Sequence, residues 1–388
     1  MKLVELGKLK PPRPRPSLEE LLPLVSTILQ RGVVPEALIV EDDRVSPESA
    51  RLYYALEMLG PRLAPASSQR EHVQIPLENL DFYWELNQGQ ARVFRSSLEL
   101  LYRNWPTPLV RLESLSRGGR TAWGKLEAYN PYSWSIKDRV AWSLVQGYIK
   151  EHGKPPSSVY EATSTNTGLA LAALGAIHGF RVRAYIPGPV RRESMVLLRL
   201  LGAEVVWTDK PITVDSLDEV KREAKAHGAV CLDQFNNDYN FMVHLRYTAK
   251  EIDYQARSAG LELRGVYAGM GTSGHVSALS LYFRNRRGIE VVGVQPAPGE
   301  RIPGIRRVET GMKWVRHAPP SRVVDVTLEE AVEMVERVAR TDGILLGLSS
   351  GAVAAAFEKS GPGEGDYVLV MPDNALKYTS IIERLLGE

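Results

Sequence analysis

Cysteine is almost absent from this sequence, since Cys231 is the only one among its 388 residues. A single thiol excludes an intramolecular disulfide and every zinc or iron–sulfur site that needs several cysteines. The seven histidines are scattered along the chain, and no two of them have the i, i+4 spacing of a helical zinc site. The sequence therefore predicts no metal centre.

Net charge, long apolar runs and internal repeats are missing as well. The 48 Lys and Arg residues nearly balance the 46 Asp and Glu residues, and a net charge of +2 gives no reason to expect nucleic acid or a membrane surface as a partner. No run approaches the roughly 18 apolar residues of a membrane-spanning helix. The start of the chain leads into a Pro/Arg run at 11–16 and lacks the apolar segment of a signal peptide. We therefore expect a soluble, cytoplasmic protein.

Residues 1–96 differ from the rest of the chain and show no catalytic pattern. The segment from Ser17 to Glu20 is a capping box that predicts a helix to about Gln30. A short strand is predicted over 37–41 and a second helix over 47–59. We expect this part to be an N-terminal α+β domain with an accessory or dimerisation role.

Residues 97–388 alternate short β-branched runs, glycine-containing turns and helical stretches. The predicted strands are Val159–Glu161, Arg181–Ile186, Glu204–Trp207, Val230–Leu232, Gly265–Ala268, Glu290–Gln295, Ile344–Leu346 and Tyr367–Met371. Alternation of strands and helices on this scale predicts an α/β fold with parallel strands that are covered on both faces. In such a fold, ligands bind where strands end and helices begin.

Two glycine-rich segments resemble phosphate-binding motifs. Residues 119–125 match the start of a P-loop, but Leu126 stands where Ser or Thr is required, and the segment runs into a predicted strand, so a structural role is favoured. Residues 269–274 are a formal match to G-x-G-x-x-G between a strand and a helix. The next strand ends in Gln295 rather than in the acid that binds a ribose. This loop is therefore predicted to hold a phosphate, with weak support for a dinucleotide.

A third glycine-rich segment, Gly347–Gly351, is a formal match to the G-x-S-x-G motif of hydrolases. In hydrolases of that fold the catalytic histidine follows the serine in the chain, whereas the last histidine here is His317. A nucleophilic Ser349 is therefore disfavoured. A serine at the end of a strand that faces a shared pocket stays open.

Lys137 lies at the start of a predicted helix that continues to about Glu151. Lysine is a poor choice at a helix N-terminus, where the helix dipole repels cations. The same environment lowers the pKa of the amine and favours the neutral form that reacts to give Schiff bases. A solvated surface lysine is the alternative interpretation.

Several segments together resemble the fold-type-II pyridoxal-phosphate enzymes, which share a tryptophan synthase β-like core of two lobes. The segments are Pro106–Leu109, Lys125–Glu127, Asn130–Arg139, Thr163–Gly168, Gly271–His275 and Gly347–Gly351, in the family's order over residues 97–388. Within that group, Gln234 and Phe235 resemble a pair in the cysteine synthases that helps to bind the substrate carboxylate. The segment Ile302–Thr310, with two arginines, is similar to the archaeal O-phosphoserine sulfhydrylases, which also carry an extra N-terminal domain.

The resemblance implies a homodimeric transferase that makes L-cysteine from O-phospho-L-serine and sulfide, with O-acetyl-L-serine as an additional candidate substrate. It implies that pyridoxal 5'-phosphate binds Lys137, that the freed amine removes the Cα proton, and that β-replacement passes through an aminoacrylate. An Arg fork can bind a phosphate bidentately, so we assign the phosphate of the substrate to Arg306, with Arg307 as the less favoured choice.

The implied roles of the other residues follow the same resemblance. The cofactor-binding residues are Lys137, Asn166 at the ring hydroxyl, Gly271, Thr272, Ser273, Gly274 and His275 at the phosphate, and Ser349 at the ring nitrogen. The substrate-binding residues are Thr163, Ser164, Thr167, Gln234, Phe235 and Arg306. A hydroxyl at the ring nitrogen gives a weaker electron sink than a carboxylate, which suits β-elimination better than transamination.

The alternatives within this enzyme class are threonine synthase, serine dehydratase, cystathionine β-synthase and cysteate-forming relatives. Outside the class, a dinucleotide-dependent oxidoreductase would use the loop at 269–274 and would not need Lys137. A catalytically silent homologue is disfavoured, because both Lys137 and the loop at 163–168 are intact.

Overall fold

The computed structural model describes residues 1–81, 93–188 and 192–386. Residues 1–81 form two helices and two small sheets, in agreement with the predicted α+β arrangement. The elements are β1 (Lys2–Glu5), α1 (Leu18–Arg31), β2 (Val33–Glu36), β3 (Leu38–Glu41), β4 (Arg44–Val45), α2 (Ala50–Leu59), β5 (Leu63–Ser67) and β6 (His72–Pro76). One sheet has the order β1-β5-β3-β4, and β2 pairs with β6 in the other.

The boundaries of α1 follow from its end residues. The Ser17 hydroxyl accepts a hydrogen bond from the backbone N–H of Glu20, whose carboxylate in turn accepts from the backbone N–H of Ser17. Two of the N–H groups that a helix start leaves unpaired are thereby satisfied. The helix ends at Gly32, which has a φ of 67° that only glycine adopts easily. The predicted capping box is confirmed.

Two further sheets form the two lobes of the remaining chain. The larger sheet has the order β14-β13-β12-β15-β8-β7 and the smaller one the order β11-β10-β9. The strands are β7 (Leu109–Arg111), β8 (Arg120–Leu126), β9 (Ser158–Ala162), β10 (Arg181–Pro187), β11 (Glu204–Thr208), β12 (Leu263–Gly269), β13 (Glu290–Pro296), β14 (Arg322–Val326) and β15 (Gly365–Met371). Neighbouring strands are parallel except for β7 and β8. The predicted two-lobed α/β core is confirmed.

Helices cover both faces of the larger sheet. The helices are α3 (Ser97–Arg103), α4 (Lys137–His152), α5 (Asn166–His178), α6 (Arg192–Leu200), α7 (Leu217–Ala226), α8 (Tyr239–Val243), α9 (Ala249–Ser258), α10 (Gly274–Arg287), α11 (Leu328–Asp342), α12 (Leu348–Ser360) and α13 (Thr379–Leu386). Alternate residues of β15 point to opposite faces, so that Val368 packs with the core around α10 and Leu369 with the core around α12. The strands therefore end between two helical layers, where a ligand site is expected.

Two of the predicted strands are wrong. Residues 230–232 make one parallel bridge, between Val230 and Val159. The chain leaves the strand there because the backbone N–H groups of Asp233 and Gln234 donate to the buried Glu161 carboxylate. Residues 344–346 likewise make a single bridge, between Leu346 and Asn374, since only a few residues separate the end of α11 from the start of α12.

Residues 1–81 share one apolar core with the larger lobe. Side chains of α1 and α2 lie in the same buried cluster as side chains of α10 and β12. Polar contacts cross the same boundary: Gln30 donates to Asn285 at 2.9 Å, and the Arg15 guanidinium lies over the rings of Tyr54 and Tyr239 at 5.3 and 5.4 Å. The N-terminal segment is thus packed against α10, the helix that begins directly after the loop at 269–274.

The P-loop-like segment has a structural role, as predicted. Lys125 lies within β8, is fully buried, and donates to Glu251 at 2.9 Å. The same carboxylate accepts two hydrogen bonds from Arg139, which also binds Glu127. This buried network joins β8 to α9 and to the first turn of α4, which begins at Lys137.

In the described part of the chain, no helix combines the length and apolarity needed to cross a bilayer.

Candidate active site

The loop between β12 and α10 presents several buried polar atoms without a partner. Ser273 has a φ of 74° and precedes the first residue of α10, so the loop turns sharply into the helix. Among the described residues, the Ser273 and Ser277 hydroxyls and Nε2 of His275 find no hydrogen-bonding partner although they are buried. Buried polar groups are normally satisfied. Together with the free N–H groups of a helix N-terminus, these atoms suit an anion such as a phosphate.

The glycines of this loop are required by close contacts. A Cβ on Gly274 would lie 2.3 Å from Oδ1 of Asn240, and one on Gly271 would lie 2.6 Å from the carbonyl oxygen of Gly304. Asn240 is itself buried, donates to Oγ1 of Thr272 at 2.9 Å, and leaves its Oδ1 without a partner. The loop therefore forms a narrow cup whose wall includes an asparagine that sequence analysis missed.

Lys137 is the first residue of α4. Its Nζ makes no hydrogen bond or ion pair with any residue that the structure describes. Burial lowers the pKa of Lys137 to about 8; the nearby Asp373 carboxylate opposes this shift and the Lys377 ammonium adds to it. Burial, with the Lys137 charge, also lowers the pKa of His275 to about 3, which keeps that ring neutral. Lys137 is thus an unpaired amine with a substantial neutral fraction near pH 7.5.

The loop that follows β9 brings together the predicted residues at 163–167. Oγ1 of Thr163 accepts the backbone N–H groups of Thr165 and Gly168, so its hydroxyl hydrogen stays available as a donor. Ser164 is exposed. Thr167 instead donates to Oε1 of Gln234 at 2.7 Å.

Gln234 and Phe235 lie in the segment after the Val230 bridge. Gln234 contacts Thr167, and Phe235 contacts Arg306. Nε2 of Gln234 donates to the carbonyl of Ala162 at 2.9 Å, and the amide oxygen of Gln234 accepts from Thr167. Since the NH₂ group has two N–H bonds, one of them stays free. The backbone N–H of Gln234 donates to Glu161, and burial raises the pKa of that carboxyl to about 8. Glu161 was not predicted, because a glutamate inside a strand pattern gives no sign of its partners.

Arg306 and Arg307 have different surroundings. Arg306 donates from Nε to the carbonyl of Gly271 at 2.9 Å and from Nη1 to Thr310, and its guanidinium lies 5.4 Å above the ring of Phe235. Burial lowers its pKa to about 10, and the Asp215 carboxylate opposes this shift; in the described residues no carboxylate forms an ion pair with it. Arg307 forms an ion pair with Asp325 and donates a hydrogen bond to the carbonyl of Pro296. Of the two, Arg306 is the one that adjoins the phosphate cup with an uncommitted nitrogen.

Ser349 lies in the first turn of α12 and is almost fully buried. A Cβ on Gly304 would be 3.4 Å from its Oγ, so the serine adjoins the loop that carries Arg306. A Cβ on Gly347 would be 2.0 Å from Oδ1 of Asp373, which places the segment after β15 against the same pocket. The predicted serine therefore lies beside the other site residues.

Three site residues after β15 were missed. The carboxylate of Asp373 accepts hydrogen bonds from Asn166 at 2.8 Å and from the Tyr378 hydroxyl. Lys377 is buried and donates to Oδ1 of Asn166 and to the carbonyl of Ser133. The rule that ligands bind at the carboxyl ends of parallel strands would have pointed to this segment, as it did to the other loops.

The arrangement fits pyridoxal phosphate. The cup at the start of α10 offers unpaired hydroxyls, N–H groups and a neutral histidine for a phosphate, and Lys137 offers an amine for the aldehyde. Asn166 contacts Asp373, and Ser349 lies on the helix that begins beside Asp373, so that an amide and a hydroxyl are offered for the ring. The residues present thus fit this cofactor.

Comparison with known proteins gives a consistent result. The family described as pyridoxal-phosphate dependent enzyme matches residues 100–373. The chain is 33% identical to cysteine synthase B of Escherichia coli over 281 residues, which are 71% of this chain and 91% of that protein. It is 35% identical to the cysteine synthase of Aquifex aeolicus over 321 residues, or 76% and 94% of the two chains. Among solved structures, O-ureido-L-serine synthase is similar with a TM-score of 0.66 and 27% identity over 75% of this chain and 96% of that one.

Proposed function

The chain belongs to the family of pyridoxal-phosphate dependent enzymes, and we propose that it makes L-cysteine from O-phospho-L-serine and sulfide. The reaction removes the Cα proton and releases the phosphate from Cβ, and sulfide then takes the place of the phosphate. The relatives named cysteine synthase support the β-replacement, and Arg306 is the observation that carries the choice of a phosphorylated substrate. The family membership contradicts the dinucleotide alternative for the loop at 269–274.

Lys137 is the residue to which we assign both cofactor attachment and proton removal. When bound, pyridoxal phosphate supplies an electron sink conjugated with the Cα of the substrate amino acid. The freed amine of Lys137 then acts as the general base, which is most effective when its pKa is close to the working pH. Its pKa of about 8 fits that role far better than the ordinary value of 10.5.

Three neutral groups are proposed to bind the substrate carboxylate. The hydroxyl hydrogens of Thr163 and Ser164 and one N–H of Gln234 are not used elsewhere in the described structure. Thr167, predicted as a direct ligand, is proposed to act through Gln234. The Ala162 carbonyl can only accept, so it holds the amide nitrogen, and the Thr167 hydroxyl donates to the amide oxygen.

Arg306 is proposed to bind the substrate phosphate and to stabilise it as it leaves. Its Nε and Nη1 are held by Gly271 and Thr310, which fixes the plane of the guanidinium and leaves Nη2 uncommitted. A guanidinium that is partly buried and unpaired gains more from an incoming dianion than one that already has a carboxylate, because the charge is poorly solvated beforehand. The acetyl group of bound O-acetyl-L-serine is neutral and offers no comparable charge.

The substrate proposal is tested by steady-state kinetics of the holoenzyme with sulfide. We expect kcat/KM for O-phospho-L-serine to exceed that for O-acetyl-L-serine, with cysteine quantified as the product. A preference for O-acetyl-L-serine would contradict the assignment of Arg306. A requirement for an amino-acid thiol in place of sulfide would favour the cystathionine β-synthase alternative.

A further inference from the structure

A buried hydrogen-bonded cluster joins the start of α5 to the segment after β15. Lys377 donates from Nζ to Oδ1 of Asn166 and to the carbonyl oxygen of Ser133, the latter at 2.7 Å. Nδ2 of Asn166 donates to Oδ2 of Asp373 at 2.8 Å, and the Tyr378 hydroxyl donates to the same oxygen. Asp373 and Lys377 are 1% and 8% exposed, so water does not replace these contacts.

This cluster permits only one orientation of the Asn166 amide. An ammonium group can only donate hydrogen bonds, and a carboxylate can only accept them. Turning the amide over would place its NH₂ group against Lys377 and its oxygen against Asp373. Both contacts would then become repulsive in a buried place, where an unmet polar contact is costly. The amide oxygen is thus committed to Lys377, and one of the two N–H bonds is committed to Asp373.

Asn166 has a second N–H bond, which neither Asp373 nor Lys377 uses and which the side chain can offer to a ligand. The cluster lies beside Lys137, because Asp373 forms a bridge with Ser135 and the backbone N–H of Ile136 donates to the carbonyl of Pro372. A cofactor attached to Lys137 therefore meets Asn166 with an N–H group that can donate to it. This reasoning rests on the proposed placement of Asn166 at the ring hydroxyl and does not depend on which substrate the enzyme uses.

We propose that Lys377 is a positioning residue that, with Asp373, holds the Asn166 amide so that it donates a hydrogen bond to the ring oxygen of the bound cofactor. A donor at this oxygen stabilises its ionised form and opposes its protonated form. The ionised form of the bound cofactor absorbs in the visible and the protonated form in the near ultraviolet. The ratio of the two bands therefore reports the orientation of Asn166 independently of turnover.

The test is a double-mutant cycle on the holoenzyme, with the ratio of visible to near-ultraviolet absorbance as the readout. The four proteins are the native chain, Lys377→Met, Asn166→Ala and the double variant. We expect each single variant to lower the ratio by roughly tenfold, which corresponds to about 1.4 kcal/mol. In the Asn166→Ala background, Lys377→Met should then change the ratio by less than about twofold, because it acts through Asn166.

The outcomes separate the inference from its premise. If Lys377→Met changes the ratio equally in both backgrounds, Lys377 acts on the cofactor directly through its charge, and the positioning role is refuted. If Asn166→Ala leaves the ratio unchanged, Asn166 does not bind the ring oxygen, and the placement fails together with the inference. The matched control is Lys359→Met, a lysine of α12 that pairs with Glu330 at the surface, which should leave the ratio as in the native chain.

A variant that does not fold would not end the test. Lys377→Ala leaves space for water beside the carbonyl of Ser133 and removes the same donor, so it can replace Lys377→Met in the cycle. The criterion stays the same, because the effect of Lys377→Ala on the band ratio must also disappear in the Asn166→Ala background.

Discussion

Replacing Arg306 by alanine should weaken the use of O-phospho-L-serine far more than that of O-acetyl-L-serine. The variant removes a partly buried guanidinium that forms no ion pair in the described structure, and with it the charge-assisted bond that we propose to the substrate phosphate. Such a bond contributes about 2 to 3 kcal/mol. This corresponds to a loss of roughly 30- to 160-fold in kcat/KM for the phosphorylated substrate.

The assay measures cysteine formation by the holoenzyme at several concentrations of each substrate, with sulfide saturating. Arg307→Ala is the matched control, because Arg307 is the neighbouring arginine and is already held by Asp325 and Glu309. We expect that control to change the preference between the two substrates by less than about threefold, as for other exposed charges. Equal losses on both substrates in Arg306→Ala would refute the assignment, and so would a larger effect from Arg307→Ala.

Three further predictions concern the cofactor site and its support. The rate at which the cofactor-free protein takes up pyridoxal phosphate should rise with pH to a plateau above about 8, since Lys137 reacts as the neutral amine and its pKa is about 8; a rate that is flat from pH 6 to 9 would exclude this. Gly274→Ala should lower the retention of cofactor on dialysis by roughly tenfold or more, because the added Cβ would lie 2.3 Å from Oδ1 of Asn240; full retention would show that the cup is not the phosphate site. Glu251→Gln should lower the free energy of unfolding in urea by about 3 to 5 kcal/mol, because Arg139 then loses one of its two buried carboxylate partners; an unchanged unfolding midpoint would contradict that role.

Much of the fold could be predicted because it depends on local signals. The capping box at Ser17 and the strand–loop–helix context of residues 269–274 each lie within a few neighbouring residues. The strand predicted at 230–232 was wrong because the backbone N–H groups of Asp233 and Gln234 donate to Glu161, which is distant in sequence.

The partners of the site residues could not be predicted from the sequence. The choice of Arg306 over Arg307 rested on resemblance, whereas the structure distinguishes them by their acceptors. Thr167 was expected to face the substrate, but its hydroxyl is occupied by Gln234. Lys377 was missed because nothing in its own segment shows that its ammonium is buried against an asparagine more than two hundred residues away.

The absorption spectrum of the purified holoenzyme, recorded before and after O-phospho-L-serine is added without sulfide, tests the central claim most directly. The account predicts that the visible band of the bound cofactor is replaced by a new, shifted band, that one phosphate is released per site, and that sulfide restores the original band with the formation of cysteine. A visible band that O-phospho-L-serine leaves unchanged, with no phosphate released, would contradict the proposed substrate. The absence of any visible band after reconstitution with pyridoxal phosphate would contradict the assignment of Lys137.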